Sequence, residues 1–526
     1  MTPPAGRAVL SGRGRTVIGG PVAGAAGYRA GPVWAWLVPP AVTLALGLWG
    51  ITGSSYWRDE AATMTAVQRP FGALLRMMGN VDAVHGVYYM VMWAVVRLGG
   101  TGEVVTRLPS VLAMACAAAA VAALGRRLVS PGAGLAAGLL FAVLPQISLY
   151  AQDAREYAFI TALAATGSYL LVRAMTTAGR RRGWMAGYAV CLGVMGLLNV
   201  FSLLLIGAHA ITVALAWRRA GWAAGWAGGS RAGGSRAGRS LAVAWLGGAA
   251  GAFVIASPVL ALGFAQRGTL SWLTTPQLAG AAEGLRKLIG PASMVVALVL
   301  AAVIGTMLAA GGGRERLLAA WPPELFALSL PWLVLPPVVL IGVSQVSPVY
   351  TFRYVLFCAP AAALLGGAGL AALRWPDARG ALAWAPAAVG LALVAVLGVP
   401  AQVTVRAPNG HGNNIRAANS IVAAHRRPGD AVLYLGTDSK YFPAAYPAGF
   451  VRLDDIALRK TPSQAGNLIG SDYRGSVVAQ RLARVPRVWL VKIGPYPHDR
   501  QLNGLGFRQV GRWRTSDIWL LLYARS

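Results

Sequence analysis

Four short polar clusters interrupt an otherwise apolar sequence, and their residue types are those of group-transfer chemistry. The first is Arg58-Asp59-Glu60, and the second runs from Asp82 through His85 to Tyr88 and Tyr89. The third holds Tyr150, Gln152, Asp153, Arg155, Glu156 and Tyr157, and the fourth holds Tyr350, Arg353 and Tyr354. A carboxylate takes the proton of an incoming hydroxyl, guanidinium forks hold phosphate, and aromatic faces cradle a sugar. The set therefore suits transfer of a sugar from a phosphate-linked donor. Each cluster taken alone also has a plainer reading. Charges at the end of an apolar run are ordinarily a solvated flank, and tyrosines there form an interfacial belt. Asp153, Arg155 and Glu156 can neutralise one another in a loop, His85 can be a structural residue, and Arg353 can snorkel towards lipid phosphates.

Membrane spans must position these clusters. The chain of 526 residues is 56% hydrophobic and 12% charged, with mean hydropathy +0.56, which marks an integral membrane protein. Apolar runs able to cross about 30 Å of hydrocarbon recur from Val33 to Pro400. Eleven spans are expected: 33–51, 107–124, 133–149, 156–175, 184–198, 200–217, 241–263, 291–309, 324–343, 353–373 and 381–400. Residues 1–32, rich in Gly, Pro and Arg, read as a disordered basic cytoplasmic segment, with 33–51 retained as a span.

This register puts the basic, acid-poor loops inside, among them Arg126-Arg127, Arg180 to Arg182 and the low-complexity 218–240 loop. It puts seven of the ten acidic residues before Pro400 outside: Asp59, Glu60, Asp82, Glu103, Asp153, Glu156 and Glu283. Gly86–Leu98 is apolar but too short to span, and is expected to lie on the outer face as an interfacial or re-entrant helix. All four polar clusters then share that face, which weakens the separate plain readings. The net charge of +30, 43 of its 47 basic residues being Arg, reads as loops against anionic lipid rather than as a nucleic-acid surface. Cys116, Cys191 and Cys358 all lie in apolar runs and imply no disulfide framework.

After Pro400 the texture changes to polar residues among short β-rich runs, so residues 401–526 read as a small extracytoplasmic α/β domain. Helices are expected over 413–426 and 473–484, and strands over 431–436, 487–493 and 518–523. Its expected role is a cap over the active-site face, with acceptor recognition as the alternative.

At this point the residues carry a resemblance. An apolar span, Asp59-Glu60, Asp82-x-x-His85-Gly-x-Tyr88-Tyr89, Arg107-Leu-Pro-Ser110 and Gln152-Asp-Ala-Arg155-Glu-Tyr157, in that order, resemble bacterial GT-C glycosyltransferases. These are relatives of the protein O-mannosyltransferases (glycosyltransferase family 39) and the lipid A aminoarabinose transferases. The resemblance is most specific over residues 56–160 and extends more loosely to Arg353-Tyr354. It implies a polytopic GT-C membrane domain over 33–400 with a catalytic first external loop, 52–106. It also implies a polyprenyl-phosphate sugar donor, mannose being one candidate sugar, and inverting transfer outside the plasma membrane. Asp59 matches the family's first-loop catalytic Asp, and Glu60 its neighbour. The segment commonly reads His-Pro-Pro, whereas His85 here is followed by Gly86-Val87, a departure that bears on substrate class.

A polyprenyl phosphate is already a good leaving group, so the enzyme's tasks are to hold its growing charge and to deprotonate an acceptor hydroxyl. The base role falls to Asp59. Arg353 comes first for the phosphate, Arg155 second, and Arg58 third, with orientation of Glu60 as its other role. Lys287 is a further cation near the face, and Tyr354, His85, Tyr88, Tyr89, Asp153 and Tyr157 complete the donor-binding candidates. A divalent cation held by Asp59 and Glu60 is compatible with these residue types. The acceptor is a glycan, lipid or protein hydroxyl. The rival classes are a lipid or solute transporter, disfavoured because the acids crowd one face, and a non-catalytic envelope-assembly subunit, disfavoured by the intact Asp59-Glu60 pair.

Overall fold

The structure, a computed structural model, describes residues 34–218, 231–266, 268, 274–375, 378–497 and 500–525. The basic segment 1–32 and residues 219–230 lie outside the described residues.

The described residues of the eleven expected spans are mostly helical, although the first helix ends at Leu48, short of the expected boundary at 51. Among the described residues, eight helices are long and apolar enough to cross a membrane, and a bent pair makes a ninth. The chain is thus a multi-pass membrane protein. The bend lies inside the expected 133–149 span, where α6 (Pro131–Val143) and α7 (Pro145–Ala151) meet at 63°. Pro145 is the cause. It disfavours helical backbone at Leu144 and is well placed as the first residue of the next helix. The turn brings α7 to the third polar cluster, just before α8 (Tyr157–Thr176). The stretch 231–240, expected as part of a low-complexity loop, instead opens the long helix Arg231–Ala265. Its small residues extend a helix already nucleated by the apolar span, and Arg181 Nη1 donates to Ser240 Oγ at 3.0 Å.

The first loop between membrane helices is itself helical. It contains α2 (Arg58–Val67), α3 (Phe71–Asn80) and α4 (Gly86–Gly99), between α1 (Trp34–Leu48) and α5 (Glu103–Leu128). α2 starts on the first polar cluster because Asp59 and Glu60 complement the positive end of the helix dipole. α4 is the short apolar segment. Asp82 precedes it in the left-handed region, φ 59°, which short polar side chains tolerate. Gly86, where the related sequences carry proline, meets α3 at close range: an added Cβ there falls 2.6 Å from Met78 Cε. Glycine here lets the end of the Met78 side chain pack against the start of α4, and a larger residue would displace only that flexible end.

The last membrane helix, Ala385–Val405, runs past the expected boundary at residue 400. Beyond it stand β1 (Ala431–Leu435), β2 (Asp454–Asp455), β3 (Leu458–Lys460), β4 (Ser471–Asp472), β5 (Arg487–Ile493), β6 (Phe507–Thr515) and β7 (Ile518–Arg525). Five of them form one sheet in the order β2-β1-β5-β7-β6, parallel from β2 to β5 and antiparallel thereafter. The helix Ile415–His425 covers one face, its start capped by Asn414 Oδ1, which accepts from Ala417 N–H at 3.0 Å.

This domain sits directly on the first loop. Tyr446 OH accepts from Tyr56 N–H at 2.9 Å and donates to Glu103, and Arg416 pairs with the same Glu103. Arg69 Nη1 and Asn80 Nδ2 donate to the carbonyls of Asn467 and Gly466 at 3.1 and 3.2 Å. The C-terminal domain and the first loop therefore occupy the same side of the helical domain.

Candidate active site

The site is built on a buried ion pair. Glu60 and Arg107, both 0% exposed, meet through two parallel bonds: Nε to Oε1 at 2.9 Å and Nη2 to Oε2 at 2.8 Å. The remaining Arg107 donors go to the carbonyls of Ile51 (2.7 Å), Ser54 (3.0 Å) and Ser55 (3.3 Å), and its guanidinium lies over the Tyr56 ring. Ala154 N–H also donates to Glu60 Oε1 at 2.9 Å. One carboxylate thereby welds the start of α2, the first turn of α5 and the third polar cluster together. Burial alone pushes the Glu60 carboxyl up, but the Arg107 guanidinium outweighs it and holds it at about 2. Glu60 thus faces inward, away from any substrate, and its partner is Arg107 rather than Arg58.

Asp59, one residue earlier on the helix, points the other way. Its Oδ2 lies 2.8 Å from Arg353 Nη1 and its Oδ1 3.4 Å from Arg58 Nε, and the side chain is 17% exposed. Arg353 itself is mostly covered and lies over the Trp57 ring at 5.5 Å. Arg58 reaches on to Asp438 Oδ2 at 3.2 Å, and its backbone N–H donates to Asn413 Oδ1 at 3.1 Å. The C-terminal domain thus supplies a wall of the site.

The other candidates are placed as follows. Arg155 pairs with Glu156 (Nε–Oε2 3.2 Å), which also meets His85 Nδ1 at 3.1 Å, so buried Arg155 and Glu156 and half-buried His85 form one knot beside Asp59. Arg155 Nη1 touches the Asp59 backbone carbonyl at 3.5 Å. Asp153 accepts from Trp57 Nε1 at 3.0 Å, and its carboxyl is pushed up by burial and by nearby Glu60. Tyr89 OH donates to Asp82 Oδ2 at 3.2 Å, Tyr88 packs edge-on to Phe159, and Tyr157 packs edge-on to Tyr150. Tyr354 stacks on Phe201 at 5.4 Å. These five tyrosines are buried, lining the cluster rather than forming an exposed belt. Lys287 is the candidate left outside: it is exposed on the helix Leu278–Ile289, over the Phe352 ring at 5.9 Å.

A cation held jointly by Asp59 and Glu60 does not fit, because consecutive helical residues send these carboxylates in different directions. Sequence reasoning assigned no role to Arg107, Trp57, His411, Asn413 or Asp438. For Arg107 the signal was available, since an arginine at the mouth of an apolar span requires a partner. An apolar groove of about 720 Å³ between the helices Leu204–Arg218 and Pro323–Val343, lined by residues such as Ile211 and Phe326, contains none of these groups.

Solved structures match this arrangement over nearly the whole chain. ArnT from Cupriavidus metallidurans in the apo state aligns with TM-score 0.56 and 13% identity, over 92% of this chain and 97% of that one. The same protein bound to undecaprenyl phosphate aligns with TM-score 0.54 and 14% identity, over 93% and 98%. The chain has the GT-C fold. Another GT-C structure, the mycobacterial arabinofuranosyltransferase AftD, aligns with TM-score 0.52 and 17% identity over 93% of this chain and 39% of its own. The family model for dolichyl-phosphate-mannose-protein mannosyltransferases matches residues 86–227, from α4 to just beyond the helix Leu204–Arg218. No curated protein sequence matches the chain significantly. In this GT-C framework, Asp59, Arg353 and Arg58 stand where the first loop meets the C-terminal domain.

Proposed function

We propose that the protein is a glycosyltransferase that moves a sugar from a polyprenyl-phosphate donor to an acceptor hydroxyl, with inversion, on the extracytoplasmic side of the plasma membrane. One observation carries this reading. Of the carboxylates that the helical domain gathers around Arg353, Glu60, Asp153 and Glu156 are buried, whereas Asp59 is partly open and lies 2.8 Å from Arg353. Base and phosphate partner are therefore adjacent, and the partly open Asp59 carboxylate is available to an acceptor. As the anomeric C–O bond to phosphate breaks, its electron pair goes to the phosphate oxygen, whose charge Arg353 neutralises, with Arg58 close by. The acceptor oxygen bonds to the anomeric carbon from the opposite face and passes its proton to Asp59. Arg155 serves indirectly, because Glu156 and the Asp59 carbonyl already engage it. The Glu60–Arg107 pair fixes α2 so that Asp59 keeps its direction.

Arg353→Ala is expected to weaken binding of a labelled polyprenyl-phosphate sugar by roughly 10- to 100-fold, the worth of a charge-assisted bond of about 1.5–3 kcal/mol. Arg353→Lys is expected to restore only part, because an ammonium lacks the guanidinium fork. Unchanged donor binding in Arg353→Ala would assign Arg353 to lipid anchoring instead.

The sidedness is testable in a background lacking Cys116, Cys191 and Cys358. A cysteine at Ser463, in the C-terminal domain, is expected to react with an impermeant thiol reagent in intact cells. A cysteine at Gly179, an exposed position with open space around it, is expected to react only after permeabilisation. The reverse pattern would place the site in the cytoplasm and remove the proposed donor geometry.

A further inference from the structure

Glu60, Asp153 and His411 come from three separate parts of the chain: α2, the loop before α8, and the linker after the last membrane helix. One ligand-capable atom of each lies within 4.8 Å of the other two. His411 is the anomaly that gives the group meaning. Its side chain is 2% exposed, yet neither ring nitrogen has a hydrogen-bond partner. The Glu60 Oε2 atom stands 3.8 Å from Nδ1, too far for a hydrogen bond. Buried polar atoms are almost always paired, so an imidazole with both nitrogens unmatched calls for a ligand.

The two carboxylates have room for one. Glu60 Oε1 is occupied by Arg107 Nε and Ala154 N–H, whereas Oε2 accepts Arg107 Nη2 and only a long 3.4 Å contact from Trp57 N–H. Asp153 Oδ1 takes Trp57 Nε1, and its other oxygen makes no hydrogen bond with the described residues. An imidazole and two carboxylates form a donor set for zinc or a similar divalent metal, and three protein ligands leave a position for water. Arg107 and Trp57 then act as the outer partners that orient the ligating carboxylates. Bonds of about 2.0–2.2 Å set ligand separations near ~3.4 Å, so closure asks for side-chain adjustments of order 1 Å.

We propose that Glu60, Asp153 and His411 bind one divalent transition metal, which pins the C-terminal linker to α2 and to the third polar cluster. The metal stands behind Asp59 and positions its helix without touching the transferred sugar. A proton on His411, which would turn the 3.8 Å approach to Glu60 Oε2 into an ion pair, is the competing occupant, and the metal titration separates the two.

The test uses full-length, tag-free protein in detergent, stripped with chelator and titrated with ZnCl2 or CoCl2. Expected are one metal per chain, visible cobalt absorption, and a rise in thermal midpoint on zinc addition. His411→Phe, which keeps the volume filled, and His411→Gln are each expected to bind zinc more than ~100-fold more weakly and to lose the cobalt spectrum, since even an outer partner costs 10–100-fold. His425→Ala, altering an exposed histidine on the helix Ile415–His425, is expected to bind like the unmodified protein. The proposal is overturned if the unmodified protein takes up no stoichiometric metal, or if both His411 variants bind it equally well. None of these readouts depends on sugar transfer, so the outcome stands apart from that of the glycosyltransferase reading.

Discussion

Asp59→Asn is expected to abolish most sugar transfer, by about 10²–10⁴-fold, while donor binding survives. Asparagine keeps the shape of the side chain but cannot take the acceptor's proton. Arg353 and Arg58 lose a carboxylate at 2.8 and 3.4 Å and become more available to a phosphate, so donor affinity is expected to hold or rise. The measurement is paired: donor binding and transfer on the same folded preparation, with a panel of labelled polyprenyl-phosphate sugars and membrane extract as acceptor source. Loss of transfer with binding retained supports the base role. Normal transfer would remove Asp59 from the chemistry, and loss of both would make the Arg353–Asp59 pair structural.

The largest effect on stability is expected at the Glu60–Arg107 pair. Glu60→Gln leaves a fully buried guanidinium without its counter-charge, a change that typically costs about 3–5 kcal/mol. Arg107→Ala strands the carboxylate and frees the carbonyls of Ile51, Ser54 and Ser55, so a loss at least as large is expected. Combining Glu60→Gln with Arg107→Met is expected to recover part of it, because the double substitution leaves no unpaired charge behind. Thermal unfolding of chelator-stripped protein in detergent reads all three variants, so that metal binding does not contribute. A Glu60→Gln midpoint equal to that of the unmodified protein would contradict the weld. The pH dependence has a definite sign. The Glu60 carboxyl is held below its ordinary value of 4.5, at about 2, so its contribution is complete above about pH 4.5 and is lost as pH falls towards 2. Glu60→Gln is expected to flatten that acid limb.

The sequence by itself determined the membrane domain, the mostly helical course of the expected spans, and the run of polar clusters that the GT-C fold brings together. Apolar length and the bias of arginines to one set of loops are local properties, written directly in composition. It also located three of the five strands of the C-terminal sheet, since apolar β-branched runs between turns are equally local; β5 spans Arg487–Ile493 as expected, whereas the longer, mostly polar β6 (Phe507–Thr515) was missed. Direction was not legible. Asp59 and Glu60 are adjacent acids with the same chemistry, and nothing in their spacing says that one meets Arg353 at a partly open surface while the other is sealed against Arg107. That division depends on helical geometry, which sends consecutive side chains to different sides, and on partners 47 and 294 positions away along the chain, at Arg107 and Arg353. The same holds for Asn413 and Asp438, polar residues that read as ordinary surface until the docked domain carries them to Arg58. His411 is the sharpest case, because burial is a tertiary property: only the packed linker shows an imidazole side chain enclosed beside two carboxylates.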